Sequence, residues 1–238
     1  MAKESYGVEC LVMTRVAISV EGPTEDEFCK QILTPYFRAF NIELTPIIVA
    51  TNRIKCGIKH KGGCINLDRV QNELKKLLHN FDYVTTFYDL YGFDGIALET
   101  TADELEKQIL DRVNTPKLIP YIQKYEFETL LLSQPSYYED YFDNEEAKIA
   151  IEKMINSCGG EVENVNNSKE TAPSKRVIKL FNDFDDSYDK VFHGSAILQD
   201  IGLDKVMQEC HRFASWIEKI KALSKGKNDS TKTKTHEH

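Results

Sequence analysis

Glu21, Asp89, Glu126 and Glu128 are the side chains from which chemistry could be built. Glu21 closes the β-branched-rich run Arg15 to Gly22, Asp89 closes a second run at Tyr83 to Tyr88, and the other two follow a third in Lys124-Tyr125-Glu126-Phe127-Glu128. In an open parallel sheet, ligands collect beyond the carboxyl ends of the strands, where loop amides and helix N-termini also point. If the first and third strands are neighbours, Glu21 and Asp89 stand about one strand spacing apart, roughly 5 Å. Carboxylates that close repel unless a cation lies between them, and hard oxygen donors in a partly solvated cleft suit Mg²⁺ or Mn²⁺. Glu21, Glu25, Asp89, Glu126 and Glu128 are therefore the candidate metal ligands, and Glu21, Asp89 and Glu126 the candidate catalytic set. A cation held there would neutralise a scissile phosphate and lower the pKa of a bound water, which is phosphodiester hydrolysis. Glu21 could instead serve as the general base.

A phosphate backbone needs cations to meet it. Lys55, Lys59, His60 and Lys61 lie in an acid-free stretch from Thr51 to Leu67, and Gly62-Gly63 would let main-chain amides approach a phosphate. Lys175 and Arg176, at the start of an expected helix, form a second candidate anion site. Plainer readings stand beside these. Glu21 could be a solvated turn residue, Asp89 could cap the turn after its strand, and Glu126 and Glu128 could be surface or structural acids. The basic stretch could be a solvated loop, and Lys175 and Arg176 could pair with Asp183 or Asp185. Cys56-x3-His60-x3-Cys64 offers three soft ligands at a spacing zinc sites do not favour. Cys210 and His211, adjacent on a helix, point different ways and make a poor nucleophilic pair. The acidic, aromatic stretch Tyr137 to Glu146 would repel nucleic acid and suits a protein partner or plain solvation.

The elements that must position these residues follow from pattern. Arg15 to Gly22 is apolar on both alternating faces, as a central parallel strand requires. Thr24 with Glu27 reads as a capping box opening a helix through Phe28, Ile32, Leu33 and Phe37, with Pro35 kinking its later part. Ile42 to Ala50 is a second strand, near an edge because of Pro46. Asn66 caps a helix whose Leu67, Val70, Leu74, Leu77 and Leu78 share a face. Tyr83 to Tyr88 is a third strand, Thr101 and Glu104 box a helix through Leu105, Ile109 and Val113, and Leu118 to Ile122 is a fourth strand. Helices are expected at Glu145 to Ser157, stopped by Gly159-Gly160, at Ser174 to Phe181, and at Leu203 to Leu223.

Strand and helix alternate from Arg15 to Ser133, which predicts an α/β fold: a Rossmann-like, mostly parallel sheet flanked by helices, with a helical C-terminal part. The division expected is an extension at 1–14, an α/β domain at 15–133, a helical region packed on it at 134–223 and a disordered tail from 224. The 238 residues, 41% hydrophobic and 29% charged, are enough for one substantial domain of this kind. No apolar run approaches the ~20 residues of a membrane span, and no long apolar leader follows Met1, so the expected location is the cytoplasm. Six scattered cysteines without a C-x-x-C pair fit reduced thiols, and a net charge of −8 argues against coating nucleic acid by bulk charge.

Val20-Glu21-Gly22-Pro23-Thr24-Glu25 resembles the first motif of TOPRIM domains, especially those of overcoming-lysogenization-defect (OLD) nucleases, where a glutamate ends the first strand before a glycine turn and helix. Asp89 matches the leading aspartate of that fold's Asp-x-Asp motif, and Tyr91 stands where the second aspartate would be. A broader resemblance, over about Arg15 to Leu223, is to a bacterial family of unassigned function that is TOPRIM-like in its first half. It rests on Lys61-Gly62-Gly63, Phe87 to Gly92, Tyr121-Ile122 through Leu131, Ala172 to Arg176, Tyr188-Asp189-Lys190-Val191 with Gly194, Ile201-Gly202-Leu203, and Cys210 to Phe213 with Trp216. A histidine usually precedes the Glu-Phe-Glu element in that family, and Tyr125 replaces it here. The resemblance implies a small partner protein, often encoded beside an ABC- or SMC-type AAA ATPase in phage-defence settings, and the strand-end acids beside a basic stretch point to a Mg²⁺-dependent nuclease acting on DNA or RNA. The alternatives are a non-catalytic interaction subunit of such an ATPase, and a sensor that binds a nucleotide in the same crevice.

Overall fold

The computed structural model describes residues 13–49, 65–166, 168 and 171–224. Five parallel strands form its sheet: β1 (Thr14–Val20), β2 (Ile42–Ile48), β3 (Tyr83–Asp89), β4 (Leu118–Ile119) and β5 (Ile122–Gln123), in the order β2-β1-β3-β4, with β5 pairing further along β3. The α/β reading holds. β1 is buried at every position but Arg15, as a strand covered on both faces must be. Val16, Ile18 and Val20 enter one core and Ala17 the other. β2 is the edge strand, which is where Pro46 can sit without breaking a ladder.

Two helices of the first half cover one face. These are α3 (Leu67–Leu77), capped by Asn66 through the Arg69 N–H, and α4 (Ala102–Val113), which carries the complete Thr101/Glu104 capping box. The other face holds α1 (Pro23–Phe28) and α2 (Thr34–Arg38), joined by a wider π-type turn at Cys29–Leu33. Pro35 lacks an N–H and its ring would crowd the carbonyl of Gln31, and the wide turn falls where that conflict would arise. The sequence misplaces the start of this helix. Gly22 is its N-cap with extended backbone and Pro23 is its first residue, so Thr24 lies inside, buried, and makes no cap.

The later helices are α5 (Pro135–Phe142), α6 (Glu145–Asn156), α7 (Pro173–Asp183), α8 (Lys190–Ile201), α9 (Leu203–Glu209) and α10 (His211–Lys221). Their apolar faces share one core with β1 and α1. Trp216 of α10 stacks on Phe87 of β3 at 5.5 Å between ring centroids, and its indole N–H donates to Thr85 Oγ1 at 2.8 Å. Two expectations are corrected here. Leu203 to Leu223 is two helices, broken at buried Cys210, and Leu118 to Ile122 is two short strands interrupted at Pro120. Thr86 bridges that interruption, since its hydroxyl donates to the Tyr121 carbonyl and accepts from the Tyr121 N–H. The acidic, aromatic stretch from Tyr137 is mostly helical, and buried Tyr138 packs with Phe142 in the core. Among the described residues no helix is long and apolar enough to cross a membrane.

Candidate active site

The chain runs from β1 outward to β2 and then back past β1 to β3, so the crossovers leave the β1/β3 junction on opposite faces. A crevice opens at such a switch point. Glu21 and Asp89 are its walls. Glu21, one residue beyond β1, turns toward β3, and its Oε1 accepts the Asp89 N–H at 2.8 Å. Gly92 makes that turn possible, because a Cβ there would stand 2.3 Å from Glu21 Oε1. Glu25 enters from the first turn of α1 and is buried. Glu128 comes from consecutive 3₁₀ turns at Phe127–Ser133, and its side chain is wholly buried. Tyr125, just before that segment, adopts φ +67°, a left-handed conformation unfavourable for a bulky residue, between β5 and the two glutamates.

One further residue completes the cluster. The ammonium of Lys190, first residue of α8, lies 3.4 Å from Glu128 Oε1, 3.8 Å from Asp89 Oδ2 and 3.9 Å from Glu25 Oε1. Asp189 caps α8 by accepting the Phe192 N–H at 2.8 Å, and Gly194 lets the helix lie against Phe127 and Thr24. A cation at a helix N-terminus opposes the macrodipole, so the acids and not the helix hold Lys190 there. Lys190 is not among the residues singled out from the sequence. Its acids are distant in the chain, and the only local signals were the Asp189 cap and the Tyr188-Asp189-Lys190-Val191 segment.

Burial dominates the electrostatics. It raises the Glu21 carboxyl to about 8, with the Glu25 charge adding to it and the Asp89 N–H opposing it. Asp89 and Glu128 are likewise pushed up, first by burial, against the pull of Lys190. Burial would lower Lys190, but Asp89, Glu128 and Glu25 outweigh it and hold the ammonium charged. The buried Tyr188 hydroxyl faces the Glu128 carboxylate, and its pKa rises through burial first and the Glu128 charge second, with a hydrogen bond to Glu128 adding to it. Hard, anionic oxygens are the chemistry a divalent cation satisfies. Among the described residues no three acid, histidine or cysteine side chains are grouped so as to hold a metal ion.

The remaining candidates fall elsewhere. Glu126 is turned to α7, where its Oε2 accepts the Ser174 N–H at 2.8 Å, while its charge still reaches Glu21 and Glu128. Lys175 is exposed on the first turn of α7, and Arg176 Nε donates to the Thr171 carbonyl at 2.7 Å. Asp183 pairs with Lys179. Asp94 is exposed on the turn beyond Gly92. Tyr91 packs on Tyr125 and accepts a hydrogen bond from the Asn166 amide. Buried Cys210 has its thiol pushed up by burial, which suits packing and not nucleophilic attack. Lys55, Cys56, Lys59, His60, Lys61, Gly62, Gly63 and Cys64 lie outside the described residues.

A family profile described as a domain of unknown function, DUF4276, matches residues 20–221, a span that includes both Glu21 and Lys190. No curated protein matches the chain at a significant level. Among solved structures, the C-terminal region of the Xanthomonas campestris pv. campestris OLD protein is similar at 14% identity, covering 88% of this chain and 97% of that one, with a TM-score of 0.41.

Proposed function

The chain belongs to the DUF4276 family, and from the geometry of its acidic crevice we propose that it is a divalent-cation-dependent phosphodiester hydrolase with a nuclease-like substrate. One observation carries the reading: Glu25, Asp89 and Glu128, from three separate elements, converge on a single positive charge within 3.4 to 3.9 Å, with Glu21 alongside. Glu21, Glu25, Asp89 and Glu128 would hold Mg²⁺ or Mn²⁺, with Glu126 as a flanking charge. When bound, that ion supplies neutralisation of a phosphate and a more acidic water.

The protein's own groups do the rest. As an alternative to ligation, Glu21 would accept a proton from a water, since its carboxyl is raised to about 8 and the Asp89 N–H fixes its direction. Lys190, 40% exposed along its side chain, supplies a positive charge for an entering phosphodiester. Lys175 on α7 is a second cation for a nucleic-acid backbone. A TOPRIM-like assignment, an ABC- or SMC-type AAA ATPase partner and a place in phage defence extend this reading. They are supported by the motif resemblance at Val20 to Glu25 and Phe87 to Gly92. The test is cleavage of single- and double-stranded DNA and RNA with Mg²⁺ or Mn²⁺, expected for the wild type and lost in folded Glu21→Gln and Asp89→Asn proteins. Equal cleavage by all three would remove the site.

A second reading, a non-catalytic subunit of an ATPase complex, is favoured by Tyr91. Its hydroxyl is bound to Asn166 at the position where the resemblance would place a second acid. It expects stable association with the ATPase and no hydrolysis even when assembled.

A further inference from the structure

The three ion pairs of Lys190 have an unusual character. A locked ammonium–carboxylate bond is about 2.7–2.9 Å long, whereas these are 3.4, 3.8 and 3.9 Å, so the charge is shared among three acids and bonded closely to none. The side chain keeps 40% of its surface exposed, whereas that of Glu128 beneath it keeps none. Its position on the first turn of α8 opposes the helix dipole, so only the acids retain it. Among the described residues, the wholly buried Glu128 carboxylate has no other cationic partner than this loosely placed ammonium.

We propose that Lys190 is the tethered counter-cation of the crevice, and that a divalent ion and the ammonium are alternative occupants of the space among Glu25, Asp89 and Glu128. This deepens the functional reading above and rests on it. A doubly charged ion neutralises the wholly buried Glu128 carboxylate more fully than one loosely held ammonium does, and three acids cannot close on both cations at these distances. Entry of the ion therefore turns the ammonium outward through its exposed side. The exchange places a free positive charge at the mouth only when the crevice is loaded, and so couples cation binding to anion binding.

Two measurements on the full chain test this. Calorimetric titration with Mn²⁺ is expected to give about tenfold tighter binding to Lys190→Met than to wild type, because the competitor has gone. Amine labelling of the wild type, read by mass spectrometry, is expected to rise several-fold at Lys190 when Mn²⁺ is added, and this needs no variant to fold. Mn²⁺ affinity that is equal or weaker in a folded Lys190→Met protein, or labelling at Lys190 that stays level or falls while Mn²⁺ binds, overturns the exchange and leaves the hydrolase reading standing. Absence of Mn²⁺ binding to both folded proteins overturns the cation site itself, and the exchange with it.

Discussion

Gly92 faces the carboxylate of Glu21 so closely that a Cβ on its backbone would lie 2.3 Å from Oε1 and 2.4 Å from Oε2. The three nearest atoms belong to the end of a flexible side chain, so Gly92→Ala can be accommodated by swinging Glu21 aside. The expected outcome separates stability from function. The variant should lose no more than about 1–2 kcal/mol in denaturant unfolding, yet bind Mn²⁺ at least about tenfold more weakly and lose cleavage. A variant with intact cation affinity would mean that Glu21 is not a ligand.

The raised carboxyl of Glu21 makes stability depend on pH. A carboxyl with an ordinary value of 4.5 and a folded value of about 8 favours the native state while protonated. That contribution is fully present below about pH 4.5 and is lost as pH rises through about 8, because the unfolded chain gives up its proton first. Asp89 and Glu128 shift in the same direction. Between pH 5 and 8 the cation-free protein should therefore lose on the order of 2 kcal/mol, after allowance for partial solvent access. Urea titrations across that range check it. Glu21→Gln, which keeps an acceptor for the Asp89 N–H, should flatten the slope, and saturating Mn²⁺ should reverse it by favouring ionised acids.

Much of the scaffold was legible because its signals are local. Asn66 and the Thr101/Glu104 pair announce their helices within four residues, and Pro46 announces an edge. Glu21 and Asp89 were legible as strand-end acids. What could not be read is whatever depends on distance along the chain. Lys190 matters only because three acids meet it, and Glu126 is drawn to α7 by an amide 48 residues away. The Thr24 box failed because Pro23, ideal for a first helical position, starts the helix earlier, and Cys210 breaks a helix without any breaker residue in the sequence.

Gly194 sets how closely α8 approaches α1, and hence where Lys190 stands. A Cβ there would meet Phe127 Cε1 at 2.9 Å and Thr24 Cγ2 at 3.3 Å. Phe127 is a fully buried ring packed edge-on against Phe28 and cannot step aside as a carboxylate can. Gly194→Ala should cost about 1–3 kcal/mol in unfolding free energy and carry the N-terminus of α8 away from the acids. A melt unchanged from wild type would mean that the helix packs more loosely than these distances require.

Glu126 was expected among the catalytic acids, and its bond to Ser174 gives it a structural duty that can be separated from cation binding. The N-cap of α7, Ala172, has no side chain able to accept, and Pro173 has no N–H, so Glu126 serves the first free amide of that helix. Loss of a comparable cap costs about 0.5–2 kcal/mol, which is the destabilisation expected of Glu126→Ala. Glu126→Gln retains an acceptor oxygen and should recover most of it. If the cation is held by Glu21, Glu25, Asp89 and Glu128, then Glu126→Gln should change Mn²⁺ affinity only about threefold or less, through lost flanking charge, whereas Glu128→Gln should weaken it about tenfold or more. Calorimetry on the two glutamine variants decides the matter. If Glu126→Gln abolishes binding while α7 stays folded, Glu126 joins the ligands and its contact with Ser174 becomes the arm that orients it.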